Sequence, residues 1–150
     1  MIAEHAFVTK LPWPETLVRL RAFLQAAGFR ELSLAENLLE AGRGRRQPQA
    51  GKIRDLPQLL RIEYDRGLVS AAVEIRTHDG RDRPALAPLV TTLLEALESF
   101  LLGAPNPEQA VAAWQTMLAN SGRVHSSATL GCLIILAALT ALVLLMIHLH

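Results

Sequence analysis

The strongest chemical character in this chain gathers in one basic stretch. Arg43, Arg45, Arg46, Lys52 and Arg54 occur with no acid among them, around the segment Gly-Arg-Gly-Arg-Arg-Gln-Pro-Gln-Ala-Gly at positions 42–51. The Gly and Pro content predicts a flexible loop. Near an anionic leaflet each Lys or Arg contributes roughly 1 kcal/mol, so the five together are worth at most about 5 kcal/mol. Such a charge run reads most simply as a solvated loop, and its functional reading is contact with anionic lipid or an acidic partner. Nucleic acid is not expected, because no aromatic residues are interleaved to stack on bases. A net charge of +1, from 15 basic and 14 acidic residues, lacks the basic excess of a nucleic-acid binder.

The other reactive side chains do not assemble into a site. His78-Asp79-Gly80 sets an imidazole beside a carboxylate, but the tripeptide has the composition of a turn. His5, His78 and His125 share no common face. His148 and His150 stand two residues apart, which points them to different faces of a helix, with no carboxylate or cysteine beside them. The chain has no Gly-x-x-x-x-Gly-Lys phosphate loop, no Gly-x-Gly-x-x-Gly turn, no His-Glu-x-x-His and no Gly-x-Ser-x-Gly elbow. The expectation is a non-enzyme with no catalytic residue, metal, cofactor or small-molecule substrate.

Composition moves the question from chemistry to place. The chain is 51% hydrophobic and 19% charged, more apolar than an ordinary soluble domain. The surplus lies in residues 128–147, where only Thr129, Gly131 and Thr140 are not apolar. Without that run the remainder is roughly 46% apolar, a normal globular value. A helix of about 20 residues is about 30 Å long, the thickness of a bilayer core. The run has no polar stripe, and no charged side chain follows Arg123. A single transmembrane span is therefore expected over residues 128–147. All Lys and Arg precede it, which places the N-terminal domain in the cytoplasm and His148–His150 across the membrane. The N-terminus lacks the pattern of a secretory signal, so the expected arrangement is a tail anchor. Gly131, Ala137 and Ala141 are the small residues at which a second membrane helix can approach, Ala137 and Ala141 at the close spacing. The lone cysteine, Cys132, excludes an intrachain disulfide.

The elements ahead of the span read as one α+β domain over residues 1–103. A short strand is expected over 6–11 and a helix over 14–27. The helix carries Leu17, Leu20, Phe23, Leu24 and Ala27 at helical spacing, and Gly28 as its left-handed cap. Residues 29–34 alternate as a strand. Residues 35–43 fit a return strand, with a short helix from the Ser33-x-x-Glu36 capping box as the other reading. Leu60, Ile62 and Tyr64, then Val69, Ala71, Val73 and Ile75, alternate with polar or small residues around Asp65-Arg66-Gly67 and predict a hairpin with one buried face. A second helix follows, with Leu86, Leu89, Val90, Leu93, Leu97, Phe100 and Leu101 as its stripe. The expected architecture is β-α-β-β-β-β-α, a small antiparallel sheet covered by two helices. A short amphipathic helix starts at Asn106-Pro107 in a juxtamembrane segment, residues 104–127, ahead of the anchor and tail at 128–150. Its Trp114 sits either at the membrane surface or against a partner, or on its own domain.

The functional expectation is a non-catalytic, tail-anchored accessory subunit of a larger membrane complex, in contact with other membrane subunits and the bilayer. A respiratory or photosynthetic assembly fits, though the residues do not choose one. The other reading is a membrane-tethered adaptor or sensor that recruits a soluble partner or anionic lipid through the basic loop.

Overall fold

The computed structural model describes residues 1–44, 53–76 and 83–121. The elements are β1 (Ile2–Val8), α1 (Trp13–Ala27), β2 (Arg30–Leu34), β3 (Leu38–Arg43), a 3-10 turn at Ile53–Asp55, β4 (Gln58–Asp65), β5 (Leu68–Ile75), α2 (Arg83–Leu101) and α3 (Pro107–Asn120). The five strands form one antiparallel sheet in the order β1-β5-β4-β3-β2. The meander from β2 to β5 is local. β1 is not: it closes the far side by pairing with β5. The chain then crosses the whole sheet through α1 to begin β2 at the other edge.

Each local element has a local cause. Pro14 lies in the first turn of α1, where its missing N–H is harmless, and Glu15 favours the positive helix end. Gly28, at φ 74°, stops the helix. Its N–H donates to Gln25 O, and Phe29 N–H donates to Leu24 O at 2.8 Å, a paired left-handed cap. The central hairpin turns on Arg66 (φ 48°) and Gly67 (φ 93°) between the partners Asp65 and Leu68. Two positive φ values make a two-residue turn whose twist matches the flanking strands. In α3, Asn106 caps the helix by accepting the Glu108 N–H at 2.8 Å. After β3, Gly44 takes φ 91°, and a side chain there would collide with the Leu56 carbonyl.

Alternation along the strands decides the layers. Leu39, Ala41, Leu60, Ile62, Val69, Ala71 and Val73 face the helices and are at most 2% exposed. Their alternate neighbours face away and are covered by no element among the described residues. Leu20, Phe23, Leu93, Leu97 and Leu101 supply the helix side of the core.

Three points refine the sequence reading. Residues 38–43 are strand, which decides the alternative at 35–43. The first strand begins earlier than expected, at Ile2, and ends at Val8. Three helices cover the sheet instead of two: α3 packs on both α1 and α2 and contributes Val111, Trp114 and Leu118 to the same core. The boundary expected after residue 103 therefore runs between two helices that share one interior. Among the described residues no helix is long and apolar enough to cross a membrane. The span expected over 128–147 lies outside the described residues.

Candidate functional site

Among the described residues, no element covers the sheet face turned away from the helices. Its middle is shallow because the outward side chains there are small: Ala6 on β1, Ser70 and Ala72 on β5, Gly42 on β3. A trough of about 550 Å³ runs across β1, β5 and β4, with Glu4, Leu59, Arg61, Glu63 and Glu74 among its walls. A second depression, of about 720 Å³, lies toward β2 and β3 beside Arg30, Leu32, Gly42 and Arg76. Leu32 folds over Gly42, where a Cβ would stand 2.8 Å from its Cδ1.

The face is charged around its rim. Five carboxylates, Glu4, Glu40, Glu63, Asp65 and Glu74, stand on it against three guanidiniums, Arg30, Arg61 and Arg76. Arg61 Nε lies 3.5 Å from Glu40 and 3.8 Å from Glu63, and Arg76 Nε lies 2.9 Å from Glu74. These are exposed pairs in high dielectric, worth little to stability individually. By count, the described part of the face presents an acidic surplus. Among the described residues this surface has a small-residue floor and a polar rim, and both depressions are open to solvent.

The expected contact residues fall elsewhere. Arg43, the last residue of β3, turns inward instead of into the basic loop. Its Nη1 donates to Ala27 O at 2.8 Å, and its guanidinium sits 4.8 Å from the Trp114 ring centre. Burial pushes its pKa below the ordinary value, and Asp55 opposes that shift. Trp114 is 2% exposed and stacks on Phe29 with ring centres 6.2 Å apart. Of the two positions open for Trp114 from the sequence, it takes the one inside its own domain. Gln115 donates to Ala26 O at 2.7 Å, so side chains from α3 and β3 complete the last carbonyls of α1. Arg54 falls in the 3-10 turn. Arg45, Arg46, Lys52, His78, Asp79, Gly131, Ala137, Ala141, His148 and His150 lie outside the described residues.

One pair was not legible from sequence. His5 Nε2 on β1 and Glu98 Oε2 on α2 are 2.7 Å apart, across 93 residues of chain. Both side chains are about one-third exposed. The pair ties β1 to α2. The imidazole also lies beside the Phe7 ring, with ring centres 5.8 Å apart. Among the described residues no group of three or more His, Cys, Asp or Glu is placed to hold a metal ion. Compared with models of known protein families and with curated proteins, the chain matches none.

Proposed function

We propose that this chain is a non-catalytic accessory subunit of a larger membrane protein complex. A span over residues 128–147 tethers it, the domain stands on the cytoplasmic side, and the uncovered sheet face meets the next subunit. The observation that carries this reading is the face itself. Among the described residues, strands whose inner residues are fully buried leave their outer residues uncovered over a shallow trough with a small-residue floor. The tether rests on the uncharged apolar run alone. A recruiting role for the basic segment would rest on Arg45, Arg46, Lys52 and Arg54, since Arg43 is spent within the domain.

Two measurements test the proposal. Alkaline carbonate extraction of native membranes should leave the full chain in the pellet. A Leu136→Arg, Leu139→Arg double substitution should release it, because each charge at the centre of a span costs about 2.5–3.5 kcal/mol. A photo-crosslinking residue at Ala72 should capture a neighbouring subunit, and one at exposed Glu95 on α2 should not. Extraction of the unaltered chain would remove the tether. Equal capture at both positions would remove the sheet face as the contact.

A further inference from the structure

Among the described residues the outer edge of β1 has no neighbour, and we propose that two copies of this chain join there into one continuous ten-stranded antiparallel sheet. The backbone directions come first. Met1 and Ile75 exchange both hydrogen bonds at 2.8 Å, and Thr9 N–H donates to Gly67 O at 2.8 Å. In an antiparallel ladder, bonded and non-bonded pairs alternate. With the observed register, Ala3, His5 and Phe7 thus bond to β5, and Ile2, Glu4, Ala6 and Val8 aim their N–H and C=O groups outward. All four of those outward residues are exposed, with Ile2 at 65% and Val8 at 69%.

A two-fold axis through His5 matches every outward group to another. It pairs Ile2 with Val8 of the second copy and Glu4 with Ala6, each pair twice, giving about eight backbone bonds. Moving the axis to Glu4 would oppose two carboxylates, and moving it to Ala6 would leave Ile2 unpaired. The centred register is therefore the one that sets Ile2 against Val8 and keeps Glu4 away from the second Glu4, while the two His5 residues meet at the axis on the helix side, each held by its own Glu98. The other edge is protected. β2 is five residues long, carries Arg30 and Glu31, and is broken by a bulge at Leu32. β1 is seven residues long without bulge, Pro or Lys, and Glu4 is the single carboxylate on its outward row, so it has fewer of the usual defences of an exposed edge. The axis stands normal to the sheet, which keeps both helix layers on one side. The second copy fits better than a foreign strand because the side-chain order is self-complementary. The inference does not depend on the membrane span.

Full-length protein with Cys132→Ala, purified in mild detergent, tests the pairing through single cysteines. Ile2→Cys protein alone and Val8→Cys protein alone should form no disulfide dimer, and their mixture should form one under mild oxidation. A bonded antiparallel pair sets the Cα atoms about 5.5 Å apart, within disulfide reach. Ala6→Glu places a carboxylate opposite Glu4 at both symmetric pairs and should weaken self-association at least tenfold, a factor equal to about 1.4 kcal/mol. Adding Glu4→Lys to Ala6→Glu should restore it. Circular dichroism shows whether each variant is folded, and the cysteine mixture stands even if Ala6→Glu is not. A monomeric unaltered chain at micromolar concentration overturns the proposal. So does a dimer indifferent to Ala6→Glu, or a disulfide formed by Ile2→Cys protein alone as readily as by the mixture.

Discussion

The two edges of the sheet share the same backbone chemistry and carry opposite side-chain plans. At β2 every residue is exposed, yet the strand is short, bulged at Leu32 and fastened from behind. Arg21 on α1 holds Glu31 in a two-pronged bond at 2.9 and 3.2 Å. Just inside it, Phe29, Trp114 and Arg43 form one stacked unit that joins α1, α3 and β3. At β1 the strand is longer and regular, and its outward row alternates apolar ends with a polar, small middle. It is fastened by Phe7, 6% exposed, and by the His5–Glu98 pair. An edge strand offers unpaired donors and acceptors whatever its sequence, so the difference lies in whether the side chains forbid or permit a new neighbour. β2 forbids it and β1 permits it.

The largest expected effect breaks the β2 side. Trp114→Ala removes a buried ring between three elements and should cost about 3–5 kcal/mol, read from the urea midpoint. Amide exchange should then quicken in β2 and β3 more than in β1 and β5. Equal quickening across the sheet would mean that the two sides are not fastened separately.

Arg43→Met comes next. It keeps the aliphatic contact with the core but leaves Ala27 O without its donor, at a cost of about 1–3 kcal/mol. A neutral result would show that the carbonyl is served by water and that the Trp114 contact, not the bond, matters at this end of β3.

Arg66→Asn should move stability the other way, by about 0.5–1 kcal/mol, since Arg66 holds a left-handed φ of 48° that Asn adopts more readily. It sharpens the comparison because the β4–β5 turn sets the strand on which β1 is templated. A raised melting temperature with unchanged self-association is the expected outcome.

The smallest effect is at Glu31. The Arg21 guanidinium, by hydrogen bond and by charge, holds the Glu31 carboxyl below its ordinary value. A lowered folded pKa contributes stability above the unfolded value of about 4.3, and that contribution fades as pH falls through the lower folded value. Glu31→Gln should therefore lower the urea midpoint slightly at pH 7. The gap from the unaltered protein should close in acid, and it should shrink in high salt because both groups are at the surface.

Much of this fold was legible because its signals are local. The alternation from Leu60 to Ile75 gave the central hairpin, and the caps at Gly28 and Asn106 gave the ends of two helices. β1 was misplaced by a few residues for a physical reason. Its inward positions are Ala3, His5 and Phe7, and its outward ends are Ile2 and Val8, so apolar residues occur on both faces and the period-two signal is blurred. Residues 35–43 stayed ambiguous because Leu38 and Leu39 are adjacent, and only pairing with β2 and β4 chooses a face. Arg43 looked like part of a solvated charge run because nothing local shows that Trp114 and the end of α1 stand beside it.

The division between sequence and fold follows range. Periodicity, turn chemistry and capping act within a few residues, so the chain alone determined the helices and the central hairpin, though not the bounds of β1 or the state of residues 35–43. It also determined the uncharged run at 128–147. Which strands become edges is a matter of pairing between β1 and β5, and which helices join the core depends on α3 finding α1 and α2. Those contacts cross most of the chain, and their free energy comes from burial that exists only when all the partners are assembled. The tertiary structure therefore decided that Trp114 lies inside, that Arg43 closes a helix, and that β1 has a neighbour on one side alone among the described residues.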